Sequence, residues 1–308
     1  MYTKPVMKKL ALAAFLATAL VAQKSPNPFL GRWDLMVTPP NGGAAFPDWL
    51  EVTQSGSGLA GRIQPRSGGA FAVEGMQLEG SRLNVNTRQG VRWDLGIEGG
   101  KLTGTIKQGD KDQGSIAGVR APALDRPMPK DWTNPEPIFN GKDLTGWEPM
   151  GNNPNHWTVK DGVLLNEQHG ANLRSMRKFQ DFKLHIEYNC PDKGNSGVYL
   201  RGRYEVQVEY EPVDANDRFH SMGAIYSFVP PSVELPRKPG TWERYDITLV
   251  GRHVTVVRNG VKTIDNQEIP GITGGALDSN EGEPGPFYLQ GDHTGGMMYR
   301  NITIQLPK

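Results

Sequence analysis

Short segments in which apolar and polar residues alternate occupy much of the first half of the chain. They lie at 32–37, 49–53, 58–63, 82–86 and 92–97. A period of two residues is typical of antiparallel strands that place one face on a core. Gly-Gly and Ser-Gly pairs interrupt the alternation, and such pairs favour tight turns. The pattern predicts a small antiparallel β-barrel or β-sandwich at residues 28–121.

A proline-rich stretch without alternation follows, and it predicts a linker at residues 122–136. Alternation then resumes in longer and more apolar segments, at 182–188, 197–201, 204–210, 243–250, 253–259, 287–290 and 302–306. These segments predict a two-sheet jelly roll at residues 137–308. Between two of them, Asn259-Gly260 predicts a type I′ turn, because Asn and Gly tolerate positive φ angles. The predicted fold class is therefore all-β throughout.

The N-terminus has the features of an export signal. Lys8 and Lys9 precede an apolar run with small residues that ends at Ala22. This pattern predicts a signal peptide at residues 1–22 and a periplasmic or secreted protein. The run is shorter than the roughly 20 residues that cross a bilayer, so we expect no membrane span. Cys190 is the single cysteine, which excludes a framework of internal disulfides.

Composition limits the kinds of partner. The chain has 308 residues, of which 37% are hydrophobic and 22% charged, and this suits two domains with separate cores. The formal net charge of +1 includes three lysines within residues 1–22, so it becomes −2 once that segment is removed. Binding to a polyanion requires a basic surplus, so we do not expect a nucleic-acid partner.

Seven phrases in the second half carry a resemblance to a known family. They are IFNGKDLTGWE at 138–148, WTVKDGVL at 157–164, FQDFKLHIEY at 179–188, GNSGVYLRGRYEVQV at 194–208, GAIY at 223–226, KPGTWERYDIT at 238–248 and YLQGDHTGGMMYRNITI at 288–304. Together they resemble the 3-keto-disaccharide hydrolase family, once known only as a domain of unknown function. The N-terminal domain lies outside this resemblance, and the sequence assigns it no task.

The resemblance implies a concanavalin-like jelly roll that acts on 3-keto glucosides or disaccharides as a hydrolase or lyase. A separate sugar 3-dehydrogenase would supply them by oxidising the 3-hydroxyl. The C3 ketone acidifies the C2 proton, so a base removes that proton, the C1 substituent is eliminated, and water adds afterwards. Use of a divalent metal by family members implies Ca²⁺, Mn²⁺ or a similar ion as a Lewis acid. No organic cofactor is expected.

A row of polar residues on one strand gives the first candidate site residues. Glu205, Gln207 and Glu209 alternate with valines along 204–210, so they share one face of the sheet. This face is interpreted either as the solvated outside of a sandwich or as a sugar-binding surface. Arg201 precedes the row, and counting by twos from Tyr199 predicts that both side chains lie on one side.

The second candidate group follows the strand that ends at Gln290. His293 lies in a glycine-flanked loop beside Asp292, where an imidazole can serve as a base or a metal ligand. Gly291 is inserted relative to the usual Gln-Asp-His of the family. The predicted catalytic residues are His293, Glu205 and Arg201, the predicted substrate-binding residues are Tyr199, Gln207, Glu187, Asp292 and Gln290, and the predicted metal ligands are Glu205 and His293.

Two other functions remain open from the sequence. Glu205 and Glu209 resemble the outer carboxylates of jelly-roll endo-glycanases, although Gln207 replaces the central Asp and a flat strand separates the two residues by about 13 Å. A concave sheet with aromatic and amide side chains can also bind carbohydrate without any chemistry.

Overall fold

The computed structural model describes residues 27–211 and 217–308, so the predicted signal peptide at residues 1–22 lies outside the described residues. Within them, every regular element is a strand except for two short 3-10 turns at Arg88–Gly90 and Arg218–His220. The all-β fold class is therefore confirmed. In the part of the chain that the structure describes, no helix has the length and apolar character needed to cross a membrane.

The first sheet closes into a barrel. Its strands are β1 (Gly31–Thr38), β2 (Phe46–Ser55), β3 (Gly58–Gln64), β4 (Phe71–Ala72), β5 (Gly75–Glu79), β6 (Arg82–Asn86), β7 (Val91–Glu98), β8 (Lys101–Gln108) and β9 (Lys111–Arg120). The order is β2-β1-β9-β8-β7-β6-β5-β3, and β2 pairs with β3 to close a ring of eight strands, while β4 pairs only with β3. This pairing decides for the barrel over the sandwich.

The remaining strands form two stacked sheets. They are β10 (Glu136–Pro137), β11 (Trp147–Met150), β12 (Trp157–Lys160), β13 (Val163–Asn166), β14 (Asn172–Phe179), β15 (Phe182–Asn189), β16 (Asn195–Leu200), β17 (Tyr204–Glu209), β18 (Trp242–Val250), β19 (His253–Arg258), β20 (Val261–Glu268), β21 (Gly285–Leu289) and β22 (Met297–Gln305). One sheet has the order β12-β13-β22-β15-β18-β19-β20 with β10 beside β22, and the other has the order β11-β14-β21-β16-β17.

Strand alternation directs one side of the second sheet into the core and leaves the other side for a site. On β17, Val206 and Val208 are fully buried against residues of the facing sheet, such as Tyr245. The neighbouring polar side chains point away from that core, as a period of two requires. The turn between β19 and β20 also follows the prediction, because Asn259 and Gly260 have φ angles of 52° and 84°.

Strand β17 lies at the edge of its sheet, and the segment after the undescribed residues covers this edge. The backbone N–H of Gln207 donates to the carbonyl of Ala224, and the N–H of Gly223 donates back to the carbonyl of Gln207. The N–H of Tyr226 donates to the carbonyl of Glu205 in the same way. These bonds satisfy backbone groups that an open edge would leave exposed, and they bring residues 217–229 beside the polar row.

Candidate active site

The polar row on β17 lies inside a cleft. Glu205, Gln207 and Glu209 are only 4%, 2% and 7% exposed. The predicted common face is therefore correct, but the alternative of a solvated outer surface is not, because such a surface leaves carboxylates in contact with bulk water. Burying two carboxyl groups on one strand is costly unless a ligand or function compensates for it. The row is the natural centre of a site.

Gly197 makes room for the carboxyl group of Glu205. This glycine lies opposite Gln207 on the neighbouring strand β16. A Cβ atom built on Gly197 would be 2.1 Å from Oε1 of Glu205, so the carboxyl group lies across the glycine. On its other side, the hydroxyl of Tyr199 donates to Oε2 of Glu205 at 2.9 Å. The Glu205 carboxyl group thus points along the sheet toward the paired residues Gly197 and Gln207.

The Glu209 carboxyl group also lies close to Gln207, on the opposite side from Glu205. The amide Nε2 of Gln207 donates a short hydrogen bond to Oε2 of Glu209. The carboxyl groups of Glu205 and Glu209 therefore both extend toward the position of Gln207 on the strand. Burial is the main cause of the raised pKa of Glu205, and electrostatic repulsion from Glu209 adds to it.

Burial tunes both carboxyl groups toward neutral pH. Removal from water penalises the charged form, and it raises the pKa of Glu205 to about 8 despite the opposing hydrogen bond from Tyr199. Burial likewise raises the pKa of Glu209 to about 7, against the hydrogen bond from Gln207. A carboxyl group that titrates near the working pH can both give and take a proton.

His293 and Asp292 form a hydrogen-bonded pair at one side of the cleft. Nδ1 of His293 is 3.0 Å from Oδ1 of Asp292, and Asn172 donates to the second carboxylate oxygen at 3.2 Å. The hydrogen bond to Asp292 raises the pKa of His293. Burial would raise the pKa of Asp292, but the hydrogen bond and the charge of His293 lower it. The pair therefore favours an imidazolium beside the buried carboxyl groups.

Two amide oxygens in the cleft have no partner among the described residues. They are Oε1 of Gln207 and Oε1 of Gln290, and both are buried. An unsatisfied buried acceptor costs about 1–3 kcal/mol, so such atoms are kept where a ligand supplies the donor. Hydroxyl groups of a sugar are donors of the required kind.

Tyr199 is in the site, but it does not offer its ring to a ligand. Its ring stacks on that of Tyr288 with centroids 3.8 Å apart, and Tyr199 is only 1% exposed. Its single hydroxyl proton is shared with the carbonyl of Gly274, whose oxygen is 2.7 Å away, while the Tyr288 hydroxyl donates to the carbonyl of Gly275. The stacked tyrosines form a rigid floor beneath Glu205, so the predicted substrate-binding residue Tyr199 has no open ring face on which a sugar could stack.

The complete cleft has a volume of about 400 Å³. Its walls combine residues from three parts of the chain: Ser67 and Gly68 from the barrel, Asn195, Tyr199, Glu205, Gln207, Glu209 and Glu211 from the β16–β17 region, and Asp217, His220, Tyr226, Gly274, Gly275, Gln290, Asp292 and His293 from later segments. The predicted residues Glu205, Gln207, Gln290, Asp292 and His293 are thus brought together.

Asp217, His220 and Tyr226 are among the cleft residues that the sequence interpretation missed. Nδ1 of His220 is 2.5 Å from Oδ2 of Asp217, and its Nε2 is 2.8 Å from Oγ of Ser227. The His220 ring also packs on Tyr226, with centroids 4.5 Å apart. These residues lie in an irregular segment with no strand period. The only available signal was the GAIY phrase, which ends at Tyr226.

Two predicted site residues are outside the cleft. Arg201 is fully buried, and its guanidinium donates to the carbonyl of Gly251 at 2.6 Å. Counting by twos was wrong here because β16 ends at Leu200 and Arg201 turns with a φ of 52°. Glu187 lies on β15 in the other sheet, where Arg300 donates to it at 2.7 Å. Neither residue lines the cleft.

The predicted metal ligands Glu205 and His293 do not form a recognisable ion site. Among residues 27–211 and 217–308, no three His, Cys, Asp or Glu side chains are grouped to hold a metal ion. A buried carboxyl that keeps its proton near neutral pH, beside an imidazole already bonded to Asp292, is a poor donor set for a cation. Metal ligation stays a prediction, and no step below passes through a metal.

The fold and the cleft define an all-β protein with a polar, carboxyl-bearing pocket suited to a small hydroxylated ligand. The chain belongs to the family described as the 3-keto-alpha-glucoside-1,2-lyase-like domain, which matches residues 134–305. The predicted family is therefore confirmed for the C-terminal part of the chain.

Individual proteins are similar to this chain over shorter or less similar spans. A 3-keto-disaccharide hydrolase from Bacteroides thetaiotaomicron is 30% identical over 91 residues, which cover 26% of this chain and 30% of that relative. A crystal structure from Parabacteroides distasonis, assigned by name to the glycosyl hydrolases, is 30% identical with a TM-score of 0.47 over 58% of this chain and 92% of that one. The carbohydrate-binding module CBM66 of Bacillus subtilis is 14% identical, with a TM-score of 0.35. The match covers 53% of this chain and 97% of that module. These TM-scores are below 0.5, so they add nothing to the family assignment.

Proposed function

We propose that this protein cleaves 3-keto glycosides by removing the C2 proton and eliminating the C1 substituent, with water adding afterwards. Membership of the family supports the substrate class, and the relative from Bacteroides thetaiotaomicron carries the corresponding name. The observation that carries the proposal is the pair of buried carboxyl groups of Glu205 and Glu209. Their pKa values, about 8 and about 7, lie close to neutral pH.

The two carboxyl groups divide the proton transfers: Glu209, which is the less buried and accepts the short hydrogen bond from Gln207, acts as the base, and Glu205 acts as the acid. With a pKa of about 7, Glu209 is substantially ionised at neutral pH and takes the proton from C2. The C–H electrons move into an enolate at C3. When the ketone re-forms, a double bond forms between C1 and C2, and the bond from C1 to the leaving oxygen breaks. Glu205, with a pKa of about 8, still holds its proton and gives it to that oxygen.

Hydration restores the starting enzyme. Water adds its hydroxyl group to C1, and its other proton passes to the Glu205 carboxylate. Glu209 returns its proton to C2. The net change is hydrolysis of the bond at C1, with the C3 ketone retained. If the unsaturated sugar leaves before water adds, the net reaction is that of a lyase, and Glu209 and Glu205 then exchange protons with solvent.

The remaining polar groups hold the substrate and the developing charge. An imidazolium at His293, kept protonated by Asp292, stabilises negative charge on the enolate oxygen. The unpartnered amide oxygens of Gln207 and Gln290 accept hydrogen bonds from sugar hydroxyl groups. The stacked pair Tyr199 and Tyr288 keeps the floor of the cleft rigid, so little ordering is required when substrate binds.

The test follows the C2 hydrogen during turnover. The full chain is incubated in D₂O with 3-keto-trehalose and, separately, with trehalose, and products are followed by NMR. We expect cleavage of the keto sugar only, with deuterium at C2 of the keto product above the level in an enzyme-free control. Equal action on both sugars would exclude the elimination mechanism, because only the C3 ketone makes the C2 proton removable.

A second candidate is an ordinary glycosidase that uses Glu205 and Glu209 directly. The inward lean of their carboxyl groups over Gly197 and Gln207 favours this alternative. Retaining enzymes require carboxyl groups about 5 Å apart, and inverting ones about 6.5–9.5 Å. The same experiment separates the candidates, because a glycosidase cleaves unoxidised trehalose or a β-glucan and leaves hydrogen at C2.

A further inference from the structure

A loop of the N-terminal barrel forms part of the cleft wall. Ser67 and Gly68, in the connection between β3 and β4, line the same cavity as Glu205 and Tyr226. Ser67 is exposed toward this space. The family match begins only at residue 134, so these two residues belong to the part of the chain to which neither the family nor the proposed chemistry gives a role.

Backbone contacts fix this loop to the jelly roll. The N–H of Gly275 donates to the carbonyl of Arg66 at 2.9 Å. A Cβ atom on Gly274 would be 2.3 Å from the carbonyl oxygen of Gly68. The backbones of the two segments are therefore in contact with no side chain between them. Within the loop, Nε2 of Gln64 donates to the Gly68 carbonyl at 2.8 Å. The loop therefore has a defined place beside the carbonyl groups that bind Tyr199 and Tyr288.

A small apolar cluster fixes the barrel itself. Trp49 of β2 is fully buried and packs edge-on against Phe228, with ring centroids 5.4 Å apart. Ile272 completes this cluster. Trp49 and Phe228 come from opposite sides of the boundary between barrel and jelly roll, so separating the two parts would expose both rings to water.

The loop also contacts the histidine that sequence interpretation missed. A Cβ atom on Gly69 would be 2.3 Å from Oγ of Ser227 and 2.7 Å from Nε2 of His220. A glycine at this position lets the loop backbone lie directly against the Asp217–His220–Ser227 chain of hydrogen bonds. The barrel thus helps to hold His220 at the cleft.

We propose that the N-terminal barrel is part of the substrate site, and that residues 65–70 form the wall that limits the size of the sugar bound beside Glu205. This inference rests on the proposed function for the identity of the ligand. The loop contributes a polar side chain, Ser67, and backbone groups of Gly68 to the cleft. A part of the substrate held there is a hydroxylated ring of the size of the second sugar in a disaccharide, or its aglycone.

Binding is tested with a fluorescent label on the loop. Burial raises the pKa of Cys190, the single native cysteine, to about 12, so that thiol is inert at labelling pH. The full-length variants Ser67→Cys and Ser81→Cys are each labelled with an environment-sensitive fluorophore. Ser81 is an exposed serine in the turn between β5 and β6, and it does not line the cleft. The label at position 67 itself narrows the cleft, so 3-keto-trehalose is added well above the KM of the labelled variant, and we expect it to change the emission at position 67 only.

Specificity is tested with a matched pair of bulky substitutions. Ser67→Trp fills part of the wall, whereas Ser81→Trp adds the same side chain elsewhere on the barrel. We expect kcat/KM for 3-keto-trehalose to fall at least about tenfold in Ser67→Trp while methyl 3-keto-glucoside changes less than about twofold, because steric exclusion discriminates by substrate size. Ser81→Trp should match the parent protein on both sugars.

The outcomes separate this inference from the proposed function. An emission change at position 67 without turnover of any keto sugar would support the barrel wall and reject the proposed chemistry. Turnover with a silent label at position 67, or with Ser67→Trp equal to Ser81→Trp on both sugars, would reject the wall and keep the chemistry. If no sugar is turned over and neither label responds, both are wrong.

Discussion

Replacing Glu205 by Gln should remove activity and, at alkaline pH, increase stability. The substitution keeps the size of the side chain and an oxygen that can accept the hydrogen bond of Tyr199, but it removes the ionisable proton. If Glu205 donates the proton to the leaving group, kcat on the keto sugar should fall by about 10² or more. The stability effect follows from the raised pKa of the buried carboxyl group.

The magnitude can be worked from that pKa. Burial raises the pKa of Glu205 from 4.5 to about 8. The folded protein therefore binds more protons than the unfolded chain between these values, and its free energy of unfolding falls as pH rises through this window. Since one pKa unit corresponds to 1.36 kcal/mol, ionising Glu205 costs the fold roughly 5 kcal/mol, of which about 4 kcal/mol appears between pH 5 and 9. Glutamine has no such cost.

Urea denaturation of the full chain at pH 5, 7 and 9 measures this effect as the difference between variant and parent. We expect Glu205→Gln to gain stability relative to the parent as pH rises. Glu187→Gln is a suitable control: burial raises the pKa of Glu187, but hydrogen bonds from Asn301 and Arg300 lower it overall. That control should not gain stability with pH and should keep full activity. A difference for Glu205→Gln that does not change with pH would refute the reasoning.

Three further predictions follow from the structure. His293→Ala should lower kcat by about 10² with little change in melting temperature, because this side chain lies in a half-exposed loop; equal loss of activity and melting temperature would indicate a structural role. Gly197→Ala places a methyl group 2.1 Å from Glu205 and should abolish turnover, whereas Gly282→Ala, with its nearest neighbour at 3.9 Å, should behave like the parent in the same kinetics. Intact-mass measurement of the exported protein should show loss of residues 1–22, and a full-length mass would contradict export by a cleaved signal.

The order of apolar and polar residues determined which face of each strand points outward. Alternation along 204–210 is sufficient to place Glu205, Gln207 and Glu209 on one side, because successive side chains of a strand point in opposite directions. Asn259-Gly260 similarly determined its turn, since the required φ angles are local. The alternation of side chains no longer holds where a strand ends. Arg201 follows the end of β16, and it was assigned to the wrong side for that reason.

Which segments cover the polar face of β17 was decided by tertiary structure alone. The cleft exists because residues 217–229 cover the edge of β17 and a barrel loop more than 130 residues earlier in the chain supplies Ser67 and Gly68. Burial of Glu205 by these distant segments raises its pKa. The pattern of residues along β17 cannot predict which distant segments exclude water from this carboxyl group. His220 was missed for the same reason, because its place beside the carboxyl groups depends on contacts across the whole fold.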